Sequence, residues 1–150
     1  MAHSLDVLSK TFLNKNEIIS KMRIISQKQG NNFSIEEDNR VDIWKAESYT
    51  LEIHFLTQDK FSELKEDDFW GKEYAVLFYI TIYGIDDTED RVTFPFLREL
   101  LKDYPDLLVF NEEIGGGKPF VYNKMHLDAF SGNSFAGIFA KPPQDLSNLA

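Results

Sequence analysis

A chain of 150 residues, 43% hydrophobic and 14% aromatic, is long enough for one domain with its own core and too apolar for disorder along most of its length. Its formal charge of −9 repels phosphate backbones, and no cluster of Lys and Arg offsets it locally, so nucleic acid is not an expected partner. The absence of cysteine removes disulfides, thiolate nucleophiles and cysteine-ligated metal centres.

The N-terminus "MAHSLDVLSK" has no basic segment followed by a long apolar run, and "YAVLFYITIY" is about half the ~20 residues that a membrane helix needs. A soluble, cytoplasmic protein without a membrane partner is therefore expected. In "SLDVLSKTFL" the residues Leu5, Leu8 and Phe12 fit a helix and the Leu5/Val7 alternation fits a strand; the helical spacing is preferred.

"NKNEIISKMRIISQKQ", residues 14–29, is predicted to be a helix. Asn14 caps it with Glu17 at the third helical position, Ile18, Met22 and Ile25 form its apolar stripe, and Gly30 ends it. Three strands follow: "RVDIWKA", "YTLEIHFL" and "EYAVLFYITIYG". The third is a near-continuous apolar run, the mark of a central strand. Strict alternation puts Tyr74, Val76, Phe78, Ile80 and Ile82 on one face of it and Ala75, Leu77, Tyr79, Thr81 and Tyr83 on the other. With Leu51, Ile53 and Phe55 facing the core, Glu52 and His54 share the side of Tyr79 and Tyr83.

The connection over residues 57–72 is read as a short helix or a loop folding back onto the core. "GIDDTEDR" is read as a turn. "TFPFLRELLKDYPD" is predicted to be a helix, with Thr93 as its cap, Pro95 in its first turn and Leu97, Leu100 and Leu101 as its stripe. "LLVFN" and "PFVYN" are read as strands paired across a glycine loop, and "SFAGIFA" as a last short strand before a loose tail from about residue 141. Together these elements predict a single α+β domain over residues 1–150. It is a mainly antiparallel sheet of about four to six strands, packed by two main helices on one face.

Few motifs carry chemistry. "EEIGGGKPF" departs from the phosphate-loop pattern: Glu112 stands where the first glycine belongs, and Pro119 where the metal-binding hydroxyl belongs. Gly115, Gly116 and Gly117 are read first as a mobile strand connection and second as a contact loop. Three histidines without HExxH supply no convergent metal site, and no nucleophile elbow is present, so no catalytic residue, metal or cofactor is assigned. The acidic run Asp86, Asp87, Glu89 and Asp90 lacks the glycine and the final glutamate of a calcium loop and is read as a solvated turn.

Two functions fit this pattern. The first is a small acidic, non-catalytic protein-binding domain for a basic partner. Glu52, His54, Tyr79 and Tyr83 would be contacts, and the 86–90 run and the glycine loop would be auxiliary binding segments. Small acidic inhibitors of basic enzymes, bacterial immunity proteins among them, share this composition, which is an analogy of composition alone. The second is a small-molecule-binding domain or enzyme with a pocket between that sheet face and the glycine loop.

Overall fold

The computed structural model describes residues 2–37, 39–45, 49–66, 74–84, 86–110, 120–129 and 144–145. In chain order they form β1 (Ala2–Ser9), α1 (Lys15–Lys28), β2 (Asn32–Glu37), β3 (Arg40–Lys45), β4 (Tyr49–Phe55), α2 (Gln58–Glu66), β5 (Ala75–Gly84), α3 (Asp86–Asp103), β6 (Leu108–Phe110), β7 (Phe120–Tyr122), α4 (Lys124–Ala129) and β8 (Gln144–Asp145). The strands build one sheet in the order β2-β3-β4-β5-β1-β6-β7-β8. Every neighbouring pair in it is antiparallel. The fold is α+β, as its sequence predicts. The sheet gains length from short strands at its far edge, including β8, which falls in the segment expected as a tail.

The N-terminal segment is a strand, not the expected helix. β1 lies between β5 and β6 in the middle of the sheet, and its second half is covered on both faces. Leu5 and Val7 enter the main core on one face, and Leu8 enters a second apolar cluster on the other. Leu8, buried on the outer side, breaks the period-2 pattern of Leu5 and Val7 and leaves with Leu5 a spacing that imitates a helix.

β5 carries a bulge. Val7 pairs with Phe78 and Leu8 with Val76, so Leu77 is an extra residue. The bulge reverses the phase of the strand. Ala75 and Leu77 join the main core with Phe78, Ile80 and Ile82, whereas Tyr74 and Val76 join the cluster of Leu8, Leu108, Phe110 and Val121. Strict alternation had placed both pairs on the opposite faces.

The main core defines an inner face of the sheet. Val41 and Ile43 of β3, Leu51, Ile53 and Phe55 of β4, and Ile80 and Ile82 of β5 meet Ile18, Met22 and Ile25 of α1 and Phe94, Leu97 and Leu101 of α3. α1 follows its sequence closely. The Asn14 side chain accepts from the Glu17 N–H at 3.2 Å. At its other end the Asn31 N–H donates to the Ser26 carbonyl and the Gly30 N–H to the Gln27 carbonyl, with Gly30 at φ +74°. An added Cβ at Gly30 would meet no heavy atom within 4 Å, so only backbone strain opposes a side chain there. Gly30→Ala should therefore cost about 1 kcal/mol, read as a lower urea midpoint at unchanged slope.

α3 starts at Asp86, seven residues before the expected cap Thr93, so the predicted turn over 86–90 is its first turns. Carboxylates suit the positive end of a helix dipole, which gives this acidic run a helical reason to exist. Thr93 is buried in the helix interior, and Pro95 lies inside the helix. α2 occupies part of the 57–72 connection and sends Phe61 into the main core.

Candidate functional site: the outer face of the sheet

The outer face has two halves. Around β6 and β7 it is apolar and buried, with Leu108, Phe110 and Val121. Across β2 to β5 and the start of β1 it is polar and partly open. Here strand register arranges the side chains in rows. One row runs Glu37, Arg40, His54, Tyr79, Asp6. The next runs Ser34, Asp42, Glu52, Thr81, Ser4, and a third runs Asn32, Trp44, Thr50, Tyr83. Directly opposed residues share a face, so each row is a band of neighbours.

Contacts along and across the strands tie these rows together. The Arg40 guanidinium donates twice to the Asp42 carboxylate, Nε to Oδ1 at 3.1 Å and Nη2 to Oδ2 at 3.3 Å. That hydrogen bond raises the Arg40 pKa above its ordinary value, with Glu52 and Glu37 adding to it through their charge. On β4, His54 Nε2 lies 3.3 Å from Glu52 Oε1. Across the strands, the His54 ring stacks on Tyr79 with centroids 4.6 Å apart and planes at 10°. Tyr83 at the end of β5 is 44% exposed.

The result is a polar platform, with the stacked ring pair in one outer row, open Tyr83 in the other, and Asp42 and Glu52 in the row between them. Four carboxylates, Asp6, Glu37, Asp42 and Glu52, share the face with one guanidinium. The side chains of Glu52 and His54 are about a quarter exposed, at 25% and 28%. Glu52→Ala and His54→Ala should each leave the fold intact and shift stability by less than about 1 kcal/mol. A large fall in melting temperature for either variant would show that the face is a core surface.

The structure brings Glu52, His54, Tyr79 and Tyr83 to one face, as alternation implies. It adds Arg40, Asp42, Trp44 and Asp6, which sequence reasoning did not assign, beside Thr81, which alternation had placed on this face. The signal was present for three of them: Arg40, Asp42 and Trp44 lie out of phase with the core residues Val41 and Ile43. Asp86, Asp87, Glu89 and Asp90 belong to the start of α3, and their side chains are not among those described. Gly115, Gly116 and Gly117 lie outside the described residues, so the pocket expected beneath that loop does too. Two clefts among the described residues are lined by other side chains. One lies between α1 and β2, the other between α1 and α3.

His126 has a structural task that its sequence did not reveal. Its backbone N–H donates to Asn123 Oδ1, and its Nδ1 accepts from the Asn123 backbone N–H, both at 3.0 Å. This reciprocal cap starts α4, with histidine in the place that glutamate or glutamine usually takes. Nδ1 can accept only when it carries no proton, and burial pushes the His126 pKa down. Below its ordinary value of about 6.5 the unfolded chain binds a proton that the folded protein resists. Stability should therefore fall as pH drops from about 6.5 towards the depressed pKa and stay level above. In His126→Gln the side-chain oxygen can replace Nδ1, and the difference in urea midpoint between pH 7.5 and pH 5.5 should shrink.

Among the described residues no group of three or more His, Asp or Glu side chains could hold a metal ion. Among the same residues no helix is long and apolar enough to cross a membrane. Comparison with models of known protein families, and with curated proteins, finds no match to this chain.

Proposed function

We propose that this chain is a non-catalytic protein-binding domain that meets a basic partner through the outer face of β3, β4 and β5. An inhibitor or immunity-type role, in which an acidic surface covers a working face of a basic protein, fits that chemistry. The observation that carries the reading is the stacked His54–Tyr79 pair beside exposed Tyr83, set among four carboxylates and one guanidinium. Rings that are rigid and half-open supply contact area at small entropic cost, and the carboxylates supply attraction at range. A net charge of −9 extends that field over the molecule.

The test is capture from a lysate of the source cells at low and at high salt, with the wild-type chain and Tyr83→Ala as paired baits. The expected result is a basic protein held by wild type at low salt, released at high salt and weakened by Tyr83→Ala. Capture that ignores both salt and the variant would overturn the reading.

A further inference from the structure

β2 is one of the two edge strands of the described sheet: it pairs with β3 on one side, and among the described residues nothing pairs with the other. An edge strand leaves alternate backbone N–H and C=O groups open to another strand. Beside this edge, on the inner side of the sheet, lies a cleft of about 860 Å³ between α1 and β2. α1 lines it with Asn16, Ser20, Arg23 and Ile24, and β2 with Ile35. Lys15 Nζ donates to Asn39 Oδ1 at 3.0 Å and ties the start of the helix to the β2–β3 turn, at one end of the cleft.

Two features set its chemistry. Ile24 and Ile35 are large hydrophobics, 47% and 50% exposed, and both open into it. The guanidinium of Arg23 lies over the Phe33 ring, 5.1 Å from its centroid, so a cation is held above β2 two residues from Ile35. The opposite side of the same strand carries the opposite charge. Ser34 and Glu37 lie on the outer face, opposite Asp42 and Arg40, and the Ser34 hydroxyl donates to Glu36. The edge is thus basic and aliphatic on one side and acidic on the other.

We propose that β2 receives an extended peptide strand of a partner protein, added to the sheet edge. Its side chains alternate, with an aliphatic residue and a carboxylate two positions apart on the inner side and Lys or Arg on the outer side. An added strand lies about 4.8 Å beyond β2, with same-face side chains about 6.7 Å apart. That spacing sets its aliphatic side chain against Ile24 and Ile35 and its carboxylate against Arg23. Its basic side chains meet Glu36 and Glu37. A second copy of β2 does not fit this pattern, because its inner side carries Phe33 and Ile35 and no carboxylate to meet Arg23. The site shares only Glu37 with the His54–Tyr79 platform, and its inner-side contacts, Arg23, Ile24 and Ile35, do not depend on that reading.

The probe is a displayed library of ten-residue peptides, selected against the wild-type chain. The expected winners alternate as stated and lose about tenfold or more in affinity against Arg23→Glu, with a comparable loss against Ile35→Lys. Both substituted residues are exposed, so the variants should keep the wild-type melting curve. Tyr83→Ala should bind the winners unchanged. N-methylation of one alternate set of peptide amides should abolish binding, and methylation of the other set should be tolerated. The proposal is overturned if nothing is enriched, if the winners lack alternation, if Arg23→Glu binds them as wild type does, or if both methylated sets bind. Loss of binding in Tyr83→Ala would move the peptide to the platform. A dimer in sedimentation that Ile35→Lys dissociates would make the occupant a second copy. Either result also overturns it.

Discussion

Phe78→Ala should lower the free energy of unfolding by about 3–5 kcal/mol, the usual loss for a large aromatic core residue. Phe78 is fully buried in β5, the strand between β4 and β1. It stands opposite Phe55 on β4 and Val7 on β1, and its ring lies 5.2 Å from that of Phe55. It also adjoins the bulge at Leu77, where backbone geometry is fixed by pairing on both sides and cannot collapse into a void. A domain of this size has roughly 5–15 kcal/mol in total, so the variant should be barely stable. Urea unfolding should show a much lower midpoint at nearly unchanged slope. Tyr83→Ala, at the open end of the same strand, should move the midpoint little. A cost below about 1 kcal/mol for Phe78→Ala would contradict the packing of β1, β4 and β5.

The same strand shows where a sequence stops being legible. The alternation of β3 and β4 survives because one of their faces is polar, so Glu52 and His54 fall where the pattern places them. α1 is legible for a different reason. Its cap, stripe and terminal glycine are local signals, and the structure keeps each of them. The end of β1 and the start of β5 are buried on both faces. Apolar residues at Leu5, Val7 and Leu8 then carry no phase, and only the pairing of Leu8 with Val76 and Leu108 fixes their direction. The Leu77 bulge is a tertiary event without a glycine to mark it. At α3 the run Asp86–Asp90 reads equally as a turn and as a helix start, and only the second is found.

The platform was half legible. Its four assigned residues came from alternation in two strands, and which strands lie side by side was inferred from their order along the chain. The stacking of His54 on Tyr79 and the fork between Arg40 and Asp42 depend on register, which no local pattern states. The β2 edge was not legible at all. "NFSIEE" reads as polar and short, and its meaning comes from Arg23 and Ile24 on a helix that precedes it in the chain and lies beside it in space.

The platform's charge should be felt mainly in the rate of association. Asp42→Asn with Glu52→Gln keeps side-chain shape and removes two of the four carboxylates that share the face with Arg40. With the basic partner in solution at low salt, association should slow by about tenfold or more, since a steering field raises on-rates by about 10–10³. Dissociation should change less, because long-range charge acts before contact and short-range packing acts after it. The difference between wild type and variant should shrink as salt rises and the screening length falls to about 8 Å at physiological ionic strength. Tyr79→Ala and Tyr83→Ala should do the reverse, speeding dissociation with little effect on encounter. Neutralising Asp86, Asp87, Glu89 and Asp90 at the start of α3 should slow association as well. It should also weaken the first turn of that helix, so a melting curve is needed beside the kinetics. Stopped-flow association and dissociation at several salt concentrations separate these effects. An on-rate that neither variant nor salt alters would sink the electrostatic part of the proposal. A dissociation rate unchanged by both tyrosine substitutions would place the contact somewhere other than this face.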